Sequence, residues 1–181
     1  MKVKFCLSLI FSLLIVSCTV ESGYSKEVMA MFNKQVSIPY DNSCLIGTDS
    51  SFVMESIDCK LVVFTDSQSC ASCAAKHLAD WEYLLDTLET MNVEPVFIFD
   101  PPYIKRHDFR RELRHYVSFP VYVDTCHLFI QQNPFIPQVD KLQVFLLNGD
   151  NKICYVGNPL KSRQLQNLLF DAVVDNKNRC E

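Results

Sequence analysis

Apolar residues recur along this chain with two different periods, and the switches between them mark its elements. Leu61-Val62-Val63-Phe64 is a short apolar, β-branched run that predicts a buried strand. The next segment has helical spacing: Ala74, Leu78, Trp81, Leu85 and Leu88 recur at four- and three-residue steps and line one face. Ser69 stands before it as a candidate N-cap. Val96-Phe97-Ile98-Phe99 predicts a second strand, closed by Asp100-Pro101-Pro102. A second helix would carry Phe109, Leu113, Tyr116 and Val117 on one side, and Pro120-Val121-Tyr122-Val123 reads as a third strand. Residues 124–140 look irregular, with room for one short helical turn. Val144-Phe145-Leu146-Leu147 and Ile153-Cys154-Tyr155-Val156 flank Asn148-Gly149-Asp150-Asn151, a hairpin by its turn chemistry. Ser162 can cap a last helix whose buried stripe would be Leu165, Leu168, Leu169, Ala172 and Val173.

Strands alternating with helices imply parallel pairing and right-handed crossovers, and the terminal hairpin adds antiparallel strands. The expected class is therefore α/β: a mixed central sheet with helices on both faces. In such open sheets the working crevice lies at the carboxyl ends of the strands. Upstream, Cys44 and Cys59 flank another expected hairpin and could form a structural bridge.

The N-terminus changes the picture. Lys2 and Lys4 precede a nearly unbroken apolar run from Phe5 to Val16. A membrane-spanning helix needs about 20 such residues, so the run fits an export signal better than a membrane span. It ends in Leu14-Ile15-Val16-Ser17-Cys18, which resembles the bacterial lipoprotein signal. That resemblance implies cleavage before Cys18, a lipid on its sulfur and, because Thr19 and Val20 are not acidic, the outer membrane. The expected organisation is a signal over 1–17, a polar tether over 18–27, one domain over 28–175 and a polar tail over 176–181.

The chain has 181 residues, of which 49% are hydrophobic and 12% aromatic, enough for a real core. A formal net charge of −4 supplies no field that would draw nucleic acid. Nine cysteines are present. Removing Cys6 with the signal and Cys18 as lipid site leaves seven, an odd number, so at least one thiol stays out of internal pairing. Export would place these thiols where disulfides persist.

The candidate chemistry is Cys70-Ala71-Ser72-Cys73, two cysteines two residues apart at a strand-to-helix junction. A helix N-terminus presents unpaired N–H groups and a partial positive charge of about half a unit. A thiolate at Cys70 would be stabilised there, and Cys73, one turn further in, could resolve a mixed disulfide on Cys70. His77, four residues after Cys73, is of the residue type suited to exchange the proton. Asp66, in the loop before the pair, is a second candidate relay, although a loop acid is ordinarily just solvated. Trp81 belongs to the core stripe. Lys105, Arg106, Arg110, Arg111 and Arg114 read as a solvated helix face, and Phe135 and Pro137 lie in the long loop near the expected crevice.

The element order and Cys70–Cys73 resemble the thioredoxin-like fold over about residues 28–175. The strand at Pro120–Val123 before the hairpin makes the closer likeness the membrane-tethered thiol-disulfide oxidoreductases related to peroxiredoxins. That likeness implies an envelope enzyme that reduces or exchanges protein disulfides, with protein thiols as partners, no cofactor and no metal. The pattern departs from the family at three points. Ser69, Ala71 and Ser72 replace the usual tryptophan and proline around the cysteines. No proline stands near Leu142, where a substrate-guiding cis-proline would fall. The strand that would carry a buried relay acid has only Val62, Val63 and Phe64. Two other readings stay open: a binding module in which Cys70–Cys73 is an inert staple, and a copper-handling protein using Cys70, Cys73 and His77, with Cys126 and His127 as outside ligands.

Overall fold

A computed structural model of the chain describes residues 24–40, 44–46, 59–66, 76–101 and 119–180. Strand β1 spans Cys44–Ile46, β2 Cys59–Thr65, β3 Val93–Phe99, β4 Val121–Val123, β5 Val144–Leu147 and β6 Ile153–Val156. Helix α1 is Ser25–Met31, α2 Glu82–Thr90, α3 Leu128–Gln132 and α4 Arg163–Cys180. The strands form one sheet in the order β1-β4-β3-β2-β5-β6. β2, β3 and β4 run parallel, and β1, β5 and β6 are antiparallel to their neighbours.

The continuous apolar runs follow from burial on both faces. In β2, Leu61 and Val63 point to one side and Val62 and Phe64 to the other; in β3, Phe97 and Phe99 oppose Val96 and Ile98. The first face packs Trp81, Leu84 and Leu88 of the α2 region and Leu169 and Val173 of α4. The second packs Met31 of α1 and Phe129 of α3. Each fully buried side chain of this size contributes about 1.5–3 kcal/mol of transfer free energy. Pro95 sits in β3 before Phe97, where pairing with β4 begins, so it interrupts no ladder on that side.

The N-terminal segment closes the β6 side. Asn33 N–H donates to the Ile153 carbonyl (2.8 Å), Ile153 N–H to Lys34 (3.0 Å) and Val36 N–H to Asn151 (2.8 Å). These bonds use backbone groups that an open edge would leave unpaired. No helix among the described residues is long and apolar enough to cross a membrane.

Several expectations hold in detail. The β5–β6 hairpin forms, with Asn148 Oδ1 accepting from Asp150 and Lys152 N–H at 3.1 and 2.9 Å. Ser162 Oγ caps α4 by accepting from Leu165 N–H at 3.2 Å. α3 is the short turn anticipated in residues 124–140.

Others are corrected. Leu168 is half exposed, because Leu169, Phe170, Ala172 and Val173 already fill the arc of α4 that meets the sheet. The helical segment after β2 tightens to 3₁₀ geometry at Ala79–Trp81 before α2, which shifts the inward phase so that Leu84 is fully buried and Leu85 only partly. The strands that carry Cys44 and Cys59, β1 and β2, do not pair with each other. β1 pairs with β4, so Cys44 lies three strand spacings, about 14 Å, from β2. A disulfide tolerates a Cα separation of about 7 Å at most, and Cys59 is buried in the core. α1 begins inside the stretch read as a tether, and α4 runs on through Cys180. The candidate cap Ser69 and the helix expected around Phe109–Val117 lie outside the described residues.

Candidate active site at the carboxyl edge of the sheet

Three parallel strands end in the same way: Phe64-Thr65-Asp66, Ile98-Phe99-Asp100 and Tyr122-Val123-Asp124. The ladder carries on into these residues, with Asp100 N–H donating to Thr65 (2.9 Å) and Asp124 N–H to Phe99 (2.8 Å). The three carboxyl groups therefore stand in one row, one per strand, and are 6%, 2% and 0% exposed. Burying like charges side by side is unfavourable unless each is partnered or neutralised.

Each has a different solution. Asp124 accepts from Phe129 N–H (2.7 Å) and Cys126 N–H (3.2 Å), so it serves as the cap of α3. Asp66 accepts from the buried Gln143 Nε2 (2.8 Å). Asp100 Oδ1 meets His127 Nδ1 at 2.5 Å. Burial pushes the Asp100 carboxyl up to about 6; His127 opposes the rise, and Asp124 and Asp66 add to it.

His127 is held in an unusual conformation. It is the only residue other than asparagine or glycine with positive φ (57°) among the described residues. A histidine there is uncommon and persists when its surroundings over-determine it. The Asp124 cap on one side and the Asp100 bond on the other do so. Asn133 fixes the far end of α3, its Nδ2 donating to Ser37 and Phe129 carbonyls at 2.8 and 2.7 Å.

Gln143 stands immediately before β5. Its carbonyl accepts from Phe64 N–H at 2.9 Å while its side chain reaches Asp66. No cis peptide bond occurs among the described residues. Beside this pair a cavity of about 790 Å³ opens, lined by Val63, Thr65, Trp81, Leu142, Gln143 and Lys161, with His77 also at its wall.

Cys70, Cys73 and the lipidation candidate Cys18 lie outside the described residues. The described chain leaves β2 at Asp66 and is helical from Lys76, and Thr65 and His77 both line this cavity. Asp66, the second candidate relay, is buried and hydrogen-bonded rather than in a solvated loop: it continues the strand, and Gln143 covers it. His77 is exposed, and its Nδ1 meets Asp80 Oδ2 at 3.1 Å within the same helical segment. Cys126 is an exposed free thiol; its neighbour His127 commits Nδ1 to Asp100. Among the described residues, no group of three or more His, Cys, Asp or Glu side chains could hold a metal ion. Ile136 of the long loop is in the core, while Phe135 only packs against it, away from the cavity wall. Sequence reasoning missed Asp100, Asp124, His127 and Gln143 as a unit. The available signal was the repeated apolar run closed by aspartate.

Strand order, the parallel β2-β3-β4 core and the closing antiparallel hairpin define a thioredoxin-like α/β fold. A protein of Chlorobium tepidum assigned as the thiol:disulfide interchange protein DsbE shares this fold, with a TM-score of 0.50 at 13% identity over 78% of this chain and 97% of that one. PrxQ of Xylella fastidiosa matches with a TM-score of 0.49 at 15% identity, over 78% of this chain and 96% of that one. The bacterioferritin comigratory protein of Xanthomonas campestris matches at 0.47 and 11% identity, over 78% and 98%. No family model and no curated protein matches the chain.

Proposed function

We propose that the chain is a thiol-disulfide oxidoreductase of the bacterial cell envelope, anchored through lipid on Cys18 in the outer membrane and acting on protein disulfides. The observation that supports this reading is the sequence position of Cys70-Ala71-Ser72-Cys73. It directly follows the strand whose carboxyl end opens on the cavity, in a sheet whose crevice is expected at that edge. The Cys70 thiolate attacks one sulfur of a substrate disulfide, and the other sulfur leaves as thiolate. Cys73 then attacks the Cys70 sulfur, releases the second substrate thiolate and leaves a Cys70–Cys73 disulfide. The substrate gains the two electrons that the dithiol loses. Asp66, buried four residues before Cys70, is the acid that exchanges protons in these steps, taking the part of the acid missing from the strand interior. His77, exposed and turned to Asp80, is the weaker candidate for that part.

The test is insulin-type disulfide reduction by the mature protein. Cys70→Ser should abolish it, and Asp66→Asn should lower it about a hundredfold at neutral pH. A Cys70→Ser variant as active as the wild type would overturn the assignment. A Cys70–Cys73 reduction potential well below about −300 mV would instead mark an inert structural bond in a binding module.

A further inference from the structure

Two cavities meet beside the carboxyl edge of the sheet. The inner one, about 790 Å³, has Val63, Leu78, Leu142, Val144 and Leu165 in its wall. The outer one, about 860 Å³, runs past Tyr83 and Leu160. His77, Trp81, Asn158 and Lys161 line both, so the two form one trough between the helical stretch 77–83 and the loop 157–161. Each part is of the size that holds a ligand, about 300–1,000 Å³. Charge is uneven along the trough. In the inner part Asp140 and Lys141 are chain neighbours, and Lys141 Nζ stands 5.6 Å from the centroid of the Tyr24 ring. In the outer part Asp80 meets His77, and Glu82 adds a second acid. Lys161 stands where the parts join, and no carboxylate pairs with it among the described residues. Its loop is held in place. Gly157 N–H donates to the Val144 carbonyl (2.8 Å), Leu160 N–H to Asn158 Oδ1 (2.9 Å) and Lys161 N–H to the Asn158 carbonyl (3.1 Å).

We propose that this trough takes an extended segment of a substrate protein, with a large apolar side chain in the inner part and a nearby carboxylate on Lys161. The inference rests on the protein-disulfide reading above and narrows the substrate class to segments in which an apolar residue lies within two positions of an acidic one. The apolar wall supplies most of the contact. Lys161 supplies the choice, because charge complementarity gives specificity more than raw affinity. A small carboxylate would need only the inner part, whereas the continuation past Tyr83, 61% exposed, gives a chain its way out. Asp80 and Glu82 oppose a second acid there, so the preferred segment carries one acid and not a run of them.

Trp81 is the one tryptophan of the chain and lines both parts, so its emission reads occupancy without any thiol chemistry. The probes are short peptides with blocked ends and no cysteine, carrying leucine on either side of a central glutamate or glutamine. Titrated into the protein and checked by calorimetry, the glutamate peptide should bind about threefold to fivefold tighter than the glutamine peptide. That advantage should shrink in about 0.5 M salt. Lys161→Gln should erase it, and Lys161→Arg should keep it. Equal affinity for the two peptides, a preference that survives in Lys161→Gln, or no binding by either measurement would overturn the inference. Octanoate binding as tightly as the glutamate peptide would overturn the peptide as occupant. A protein that fails to reduce disulfides yet shows the Lys161-dependent preference would support the inference and overturn the reading above it.

Discussion

The Asp100 carboxyl offers a sharp test of the site's electrostatics. Its ordinary value near 3.8 is pushed up to about 6, chiefly by burial. The fold therefore favours the neutral acid, and the sign follows from linkage. The stability this group contributes is fully present below pH 3.8 and is lost as pH rises through 6. A difference of 2.2 pH units corresponds to about 3 kcal/mol between those limits. The measurement is a difference between two proteins, so that groups common to both cancel. In Asp100→Asn the amide oxygen still accepts from His127 Nδ1–H, but no charge ever forms. Urea unfolding of both proteins between pH 3 and 8 should give stabilities that agree at the acid end. The Asn variant should become more stable by up to about 3 kcal/mol near pH 7. His127→Gln removes the group that opposes the rise, so the wild-type transition should move to higher pH. A difference curve that is flat, or that falls with pH, would refute the account of a carboxyl neutralised by burial.

Two further substitutions probe what holds the edge in place. Phe129→Ala removes a fully buried ring that packs 4.8 Å from Phe64, and should destabilise by about 3–5 kcal/mol in urea unfolding. Gly157 has φ +149°, and a Cβ there would meet Leu165 Cδ2 and Tyr155 Oη at 3.1 Å, so Gly157→Ala should cost about 1–3 kcal/mol. A thermal midpoint unchanged in the glycine variant would show that the backbone relaxes freely there.

Much of this architecture was legible in the pattern of apolar positions, and the reason is physical. A strand covered on both faces must be apolar throughout, so β2, β3 and β5 announced themselves as unbroken runs. The hairpin and the Ser162 cap depend on residues three or four apart, and local chemistry sufficed. Pairing partners are set by distant contacts. Cys44 and Cys59 are 15 positions apart in sequence, yet β1 crosses to the far side of β4, and nothing local encodes that. The site shows the same divide. The Cys70–Cys73 spacing is a local motif, whereas Asp66, Asp100 and Asp124 meet only because three strands end in register. Gln143 reaches Asp66 across 77 positions, which no periodicity reveals.

That register has a consequence for how the edge responds to mutation. Asp124 and Asp66 both raise the Asp100 carboxyl, so the charge on Asp100 depends on its neighbours in the row. Asp124→Asn keeps one acceptor for the α3 cap and removes one of the two charges pressing on Asp100. Asp66→Asn keeps a partner for Gln143 and removes the other. Either change should lower the pH at which Asp100 ionises, and the two together should lower it further. The stabilising effect of Asp100→Asn at neutral pH should then shrink in the doubly substituted background, because less repulsion is left to relieve. A double-mutant cycle measured at pH 7.5 and again at pH 4 reads this as a coupling energy that fades at the lower pH, where Asp100 is neutral. Strict additivity at both pH values would mean that the three carboxyls do not sense one another, and the row would be an accident of strand ends.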